Sequence, residues 1–313
     1  MKLKLTLLAV VAIAVITAFI FMDLPHNWDY ALPKRIKKIL AIILTGGAIA
    51  YATLIFQTMT NNRILTPSII GLDSLYMLIQ TFVIFIFGSM SITNTNKELN
   101  FVITVGIMIL FVGLLYRLIF KREGKNLFFL LLIGLVMGTL FGSLSTFMQV
   151  MIDPNEFMAL QQKMFASFNN VNTDLLLFAS ILIGLTLLYG LRFTKYLDAM
   201  SLGKEHAVNL GIPYDYVVKS LLVIVAILIA ISTALVGPIT FLGLLVVNLA
   251  YQFMNTYRHS ILIPGAILIS VIALVGGQLI VERVFTFETT VSVIINFIGG
   301  AYFLYLLLRE SKS

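Results

Sequence analysis

The sequence predicts an all-α integral membrane protein that forms one domain over residues 1–313 and crosses the bilayer about ten times. Of the 313 residues, 60% are hydrophobic and only 11% are charged, and the mean hydropathy is +1.02. A bilayer core requires about 20 apolar residues per helix. Ten such helices and their connections use nearly all 313 residues, so no room is left for a soluble catalytic domain. The apolar stretches lie at residues 5–22, 36–58, 69–88, 99–120, 127–150, 174–191, 217–236, 240–255, 260–280 and 289–308.

The first stretch, residues 5–22, follows Lys2 and Lys4 in the manner of a secretory signal peptide. It is longer than the apolar region of most signal peptides, and no small-residue cleavage pattern follows it. We therefore expect residues 5–22 to remain as the first membrane helix.

The basic residues predict which side of the membrane each loop occupies. If the N-terminus is inside, about two thirds of the 21 lysines and arginines lie on the cytoplasmic side, as the positive-inside rule requires. Both termini are then cytoplasmic. The same rule accounts for the formal net charge of +7, so the charge does not indicate nucleic-acid binding. The basic cluster at residues 34–38 is the exception, because it lies outside.

Two of the central stretches carry local signals. Thr66-Pro67 fits a helix N-cap followed by proline at the first helical position, and it opens the third stretch. In the fifth stretch, Gly134, Gly138 and Gly142 recur every fourth residue. A glycine ridge lets another helix approach closely in lipid, so we interpret it as a packing surface.

Two segments between the stretches are long enough to fold. Residues 151–173 lie outside and start with Asp153-Pro154, which predicts a short helix at an outer mouth. Residues 192–216 lie inside and have apolar residues at helical spacing, with a break at 211–213 that is expected to divide them into two short helices. The apolar face of this hairpin needs cover, from lipid headgroups or from another protein.

The stretches contain almost no group that could catalyse a reaction. Apart from Asp174 at the first position of the sixth stretch, Asp73 is the one acid placed within a stretch, and its position near a helix start favours a structural role. His26, His206 and His259 fall in three separate loops without metal-ligand spacing, and the chain has no cysteine. The motifs HExxH, GxSxG and GxxxxGKS/T do not occur. A membrane enzyme is therefore disfavoured, no metal or other cofactor is expected, and the chain is not expected to hydrolyse ATP.

The polar residues at membrane depth are neutral amides and hydroxyls, including Gln57 and Asn248. They are candidates to line a pathway, but they do not supply the mid-membrane ion site of a secondary transporter. A proton-coupled secondary transporter is thus the weaker alternative. Energy is expected to enter from outside the chain, through the hairpin at 192–216. Gly237-Pro238 interrupts the backbone between the seventh and eighth stretches and is a candidate pivot.

Four blocks of sequence form a recognisable set. They are residues 32–38 with 46–48 and 57–71, residues 202–213, residues 237–244 and residues 277–307. Together they resemble the FecCD-type permeases of bacterial ABC importers for iron–siderophores, haem and vitamin B12, and GPITFLGL at 237–244 is the most specific match. The chain lacks the proline and arginine that usually follow within 246–251, and 288–292 departs from the family's E-x-P-x-G. These losses resemble a divergent subgroup that works beside a second, paralogous permease.

The resemblance implies a type II ABC importer permease fold in a bacterial cytoplasmic membrane, and it implies a division of labour. Two permease chains form the pathway, with a paralogous partner favoured over an identical one. Two cytoplasmic ATPase subunits supply energy, and an extracytoplasmic binding protein delivers the substrate. The expected substrate is an iron–siderophore complex of ferric catecholate type. A non-catalytic scaffold beside a paralogous permease is the remaining alternative.

The resemblance also implies roles for particular residues. Docking of the binding protein is expected at the outer basic residues Lys34, Arg35 and Arg283. For Lys37 and Lys38, anchoring to lipid headgroups is an equal alternative. Coupling to the ATPases is expected at Leu202, Gly203, Ala207, Leu210 and Gly211. The pathway and its hinge are expected at Gln57, Gly237, Pro238 and Asn248.

Overall fold

The computed structural model describes residues 1–22, 28–90, 96–120, 127–169, 171 and 173–310, so His26 lies outside the described residues. Within these ranges the chain is all-helical. The helices are α1 (Lys2–Phe21), α2 (Trp28–Thr60), α3 (Leu72–Phe87), α4 (Lys97–Phe120), α5 (Leu127–Met151), α6 (Pro154–Met164), α7 (Thr173–Leu191), α8 (Thr194–Met200), α9 (Lys204–Asn209), α10 (Tyr214–Val236), α11 (Leu242–Met254), α12 (His259–Arg283) and α13 (Val291–Glu310).

Within the described ranges, eight helices are long and apolar enough to cross a membrane, namely α1, α2, α4, α5, α7, α10, α12 and α13. The third and eighth predicted stretches form shorter apolar helices, with 16 residues in α3 and 13 in α11. At 1.5 Å per residue, α11 covers only about 20 Å of a bilayer core that is about 30 Å thick. The described residues therefore contain ten apolar helices, and α11 is too short to cross alone.

The helices α3 and α11 both begin inside the bundle. The Thr240 hydroxyl, just before α11, donates to Asp73 Oδ2 in the first turn of α3 (3.2 Å). The chain enters α3 through a 3-10 turn at Pro67–Ile70 and through Gly71, which has a φ of +86°. Irregular backbone at membrane depth requires cover by protein, and the first and last residues of the turn are buried.

The glycine ridge of α5 supplies this cover. A Cβ placed on Gly134 would lie 2.7 Å from Ile70 Cα, and one on Gly138 would lie 3.1 Å from Gly71 Cα. Gly142 has open space at the same position. The predicted packing surface is therefore confirmed for two of the three glycines, and its partner is the 3-10 turn and the start of α3.

The core is built around α2 and α10, which are the most buried of the eight spans. Helix α2 packs against α10, α11 and α12. The contacts are close because small residues meet there: a Cβ on Gly46 of α2 would lie 2.7 Å from Ser270 Oγ of α12, and one on Gly243 of α11 would lie 2.0 Å from Thr53 Oγ1. Close backbone approach of this kind replaces the hydrophobic driving force that lipid does not provide.

The segment between α7 and α10 forms two short helices, α8 and α9, as predicted, but the break lies elsewhere. It falls at residues 201–203, where Gly203 adopts a φ of +100°. The predicted break at 211–213 instead separates α9 from α10, through Gly211 with a φ of +79°. Both φ values lie in the left-handed region that glycine adopts without strain. The segment therefore turns at both glycines, Gly203 and Gly211.

The outer segment forms the predicted short helix α6. Its start is capped by Asp153, whose side chain accepts the backbone N–H of Asn155 (2.9 Å). After α6 the backbone turns into the bundle. Ala166 N–H donates to Ser292 Oγ of α13 (3.0 Å), and Ser167 N–H donates to Val236 O at the end of α10 (2.9 Å). Helix α6 is thus tied to two membrane helices.

Candidate functional site

The hairpin formed by α8 and α9 carries an exposed apolar surface. Leu202 and Leu210 are 60% and 63% exposed, and a Cβ on Gly203 or Gly211 would meet nothing within 4 Å. Ala207, in contrast, is fully buried and lies on the inward face of α9. The structure therefore brings the five predicted coupling residues into one small element, four of them at its surface. Their contact with an ATPase stays a prediction.

A chain of hydrogen bonds joins the hairpin to the membrane helices. Asp198 Oδ1 of α8 accepts the backbone N–H of His259 (2.8 Å) and lies 2.7 Å from its Nδ1. The Nε2 atom of the same ring lies 2.7 Å from Thr58 Oγ1 of α2. His259 is 1% exposed and opens α12, so its predicted place in a separate loop is wrong. Its partners are 61 and 201 residues away in sequence, a separation that no local pattern reveals.

The predicted pathway residues Gln57 and Asn248 converge on one backbone carbonyl. Gln57 Nε2 donates to Arg63 O (2.7 Å), and Asn248 Nδ2 donates to the same atom (2.9 Å). Both side chains are buried. The Arg63 guanidinium lies over the rings of Tyr251 and Tyr257, 4.5 and 5.5 Å from their centroids. In this conformation the two amides fix the irregular connection that follows α2, and a lining role stays a prediction.

The predicted hinge at Gly237-Pro238 is buried against the outer segment. Gly237 has a φ of +100°, and a Cβ there would lie 2.9 Å from Ala166 Cα. Glycine is therefore required at this position for two reasons, the backbone conformation and the close approach of Ala166. The turn joins the end of α10 to the loop that follows α6, and motion about it stays a prediction.

The two predicted docking arginines hold the end of α1. Arg35 Nη1 donates to the carbonyls of Phe19, Ile20 and Met22 (3.1, 2.8 and 2.8 Å). Arg283 Nη2 also donates to Met22 O (2.7 Å). Carbonyls at a helix C-terminus attract cations, so the arginines join α1 to α2 and α12.

The remaining basic residues of this face differ in their contacts. Lys34 donates to the Tyr30 hydroxyl, and Lys38 pairs with Glu282. Lys34 and Arg283 are exposed, whereas Arg35 is partly buried. The basic character of this surface is therefore present, and docking of a binding protein on it stays a prediction.

The sequence profile of the FecCD transport family matches residues 3–309. The chain is similar to the petrobactin import system permease protein YclO of Bacillus subtilis strain 168, with 66% identity over 312 residues that cover 100% of this chain and 99% of the relative. It is also similar to the petrobactin import system permease protein YclN of the same strain, with 25% identity over 326 residues and 99% coverage of both chains. Among solved structures, an inward-facing metal-chelate type ABC transporter superposes with a TM-score of 0.85 at 20% identity, covering 98% of this chain and 99% of that one.

Proposed function

This chain belongs to the FecCD transport family, and from that premise we propose that it imports a ferric siderophore of catecholate type. The protein is a multi-pass membrane permease of an iron–siderophore ABC importer. The catecholate specificity is inferred from the 66% identity with YclO over the whole chain. YclO is named for petrobactin, which contains catecholate.

We also propose that separate ATPase subunits bind the hairpin formed by α8 and α9. The chain has no phosphate-binding GxxxxGKS/T motif of its own, and the exposed Leu202 and Leu210 need a partner to cover them. Leu202→Asp is expected to abolish co-purification of the ATPase while the chain still inserts into the membrane. Leu3→Asp is the matched control, because Leu3 is 85% exposed on the same predicted face but lies outside the hairpin. If the ATPase co-purified with Leu202→Asp as it does with the wild type, the hairpin would not be the ATPase-binding site.

We infer that the second permease is a paralogue. YclO and YclN of one strain are both named permeases of petrobactin import, and this chain is similar to both over nearly its full length. Mass spectrometry of the gently solubilised complex tests the inference. It is expected to find this chain with a different permease and two ATPase subunits, whereas two copies of this chain would contradict it.

Uptake of radioactive iron tests the substrate and the energy source together. Deletion of the chain is expected to abolish uptake of ferric petrobactin and to leave ferric hydroxamate uptake by other systems intact. ATP depletion with an intact proton gradient is expected to stop uptake. Uptake that survives ATP depletion and collapses with the proton gradient would favour a secondary transporter, and uptake that survives the deletion would favour a scaffold.

A further inference from the structure

A polar cavity of about 270 Å³ lies beneath α6, between α3, α4 and the end of α10. Besides Tyr76, its polar lining consists of Gln80, Lys97, Asn100, Gln162, Lys163 and Ser167. Lys97 and Gln162 are exposed, so the cavity opens to the surface that the charge pattern predicts to be extracytoplasmic. No carboxylate is among its lining residues in the described part of the chain, so its charged groups are cations.

The hydrogen bonds in the cavity leave the side-chain nitrogen of Asn100 available as a donor to a ligand. Lys163 Nζ donates to Gln80 Oε1 (2.8 Å). The Gln80 amide nitrogen in turn donates to Asn100 Oδ1 (3.1 Å) and Thr104 Oγ1 (2.9 Å). The Asn100 oxygen is thus engaged, but its buried nitrogen Nδ2 has no acceptor among the described residues. A buried donor without an acceptor costs about 1–3 kcal/mol, and an oxygen atom of a bound group would remove that cost.

The charge of Lys163 specifies what the guest should be. Burial lowers the pKa of this lysine to about 8, because the ammonium loses water that the cavity does not fully replace. An anionic oxygen placed between Lys163 and Asn100 would accept charge-assisted hydrogen bonds from both. An anionic ligand would offset part of the desolvation of the ammonium, which a neutral or cationic ligand would not.

We propose that this cavity is a subsite for one anionic arm of the iron chelate, a catecholate ring held by its oxygens at Lys163 and Asn100. The inference rests on the proposed function, since it names the charge of the imported substrate. The volume favours an arm over a whole chelate, because pockets for complete drug-sized ligands hold about 300–1,000 Å³. Gly237 and Val236 also line the cavity, so an occupied subsite would lie against the turn that follows α10.

Direct binding to the purified full-length chain, with whichever permease partner co-purifies, tests this subsite without ATP. The probes are a hexadentate ferric tris(catecholate), which is a trianion, and a neutral ferric tris(hydroxamate). Lys163→Met is expected to weaken binding of the trianion by about tenfold to a hundredfold, the loss of one charge-assisted hydrogen bond. Lys163→Arg should restore part of the affinity, and binding of the neutral chelate should not change. Lys2→Met, which removes the same charge from the opposite predicted face, should behave as wild type.

The pH dependence separates binding from a structural role. Affinity of the wild type for the trianion is expected to fall as the pH rises through about 8, where Lys163 loses its proton. Among the residues that the structure describes, the other titratable groups lining the cavity are Tyr76 and Lys97, and both remain in Lys163→Met. A fall that disappears in this variant therefore reports Lys163.

Three results would overturn the subsite: no binding of the trianion to the wild type, equal affinity for the two probes, or unchanged affinity in Lys163→Met. The first would leave the cavity to an acidic side chain of a protein partner. A fold defect in Lys163→Met would show as loss of neutral-chelate binding, and Lys163→Arg then decides. The proposed function fails separately, if the reconstituted complex shows no ATP-driven uptake of any ferric catecholate.

Discussion

Asp198→Ala is expected to loosen the hairpin from the membrane helices and to lower the amount of substrate moved per ATP. The carboxylate oxygen makes two contacts with His259, to its backbone nitrogen and to its ring. A hydrogen bond contributes about 0.5–1.5 kcal/mol, and somewhat more when one partner is charged. Asp198 has a side chain that is 52% exposed, so water replaces part of what the substitution removes. We therefore expect a loss of about 1–2 kcal/mol, or about 5- to 30-fold in the ratio of seated to released hairpin.

The assay compares two rates in proteoliposomes that contain the complete complex. ATP hydrolysis should continue in Asp198→Ala, because Leu202 and Leu210 still present the surface proposed to bind the ATPases. Uptake should fall, since a hairpin released from α12 transmits less of its motion. The chain has no cysteine, so a single cysteine introduced on α9 reports release of the hairpin through faster labelling.

Asp198→Asn is the matched control, because it keeps an oxygen acceptor in the same place and loses only the charge. It is expected to lie between the wild type and Asp198→Ala in uptake per ATP. If Asp198→Ala shows wild-type uptake per ATP and wild-type labelling, the contact with His259 does not hold the hairpin and the reasoning is refuted. A parallel fall in hydrolysis and uptake would instead indicate lost ATPase binding.

Three further predictions concern stability, each measured by the apparent melting temperature in detergent. Gly134→Ala should destabilise the protein by about 1–3 kcal/mol, because its methyl group would overlap the backbone of the 3-10 turn; Gly142→Ala, with open space, should be neutral, and equal effects would refute the packing argument. Gln57→Leu should cost about 1 kcal/mol or less, because Arg63 O keeps its second donor; a larger loss would mean that Gln57 carries this contact alone. The pKa of Lys163 is lowered from 10.5 to about 8, so the unfolded chain binds this proton more tightly and stability should rise between about pH 8 and 10. Lys163→Met should lack that rise, and an identical pH profile in the variant would contradict it.

The sequence predicted the class of fold and the order of its helices, because membrane-length apolar stretches leave few alternatives. It did not predict that α3 and α11 start inside the bundle. The residues before them, including Pro67 of the 3-10 turn and Pro238, are buried although they belong to no α-helix, and hydropathy cannot distinguish such buried turns from the first turn of a span.

The candidate site was predicted in part for a similar reason. Local signals identified the hairpin and the turn at Gly211, since turn propensity depends on adjacent residues, but they did not locate the break between α8 and α9 at residues 201–203. The contact of Asp198 with His259 joins residues 61 apart in the chain, and that of Arg35 with Ile20 O joins two consecutive helices, so neither follows from a local pattern. Only the folded arrangement shows that these charged groups first stabilise the protein itself.

The loop after α6 restrains the outer helix through hydrogen bonds to other helices. Its backbone is bonded to α10 and α13, and Lys163 within α6 is bonded to α3. Helices α3, α10 and α13 are therefore all bonded to α6 or to the loop that follows it, and a tilt of any of them strains the bonds to the others. We therefore expect any opening on this predicted extracytoplasmic face to require collective displacement of these helices, because α6 has little freedom to move independently of them.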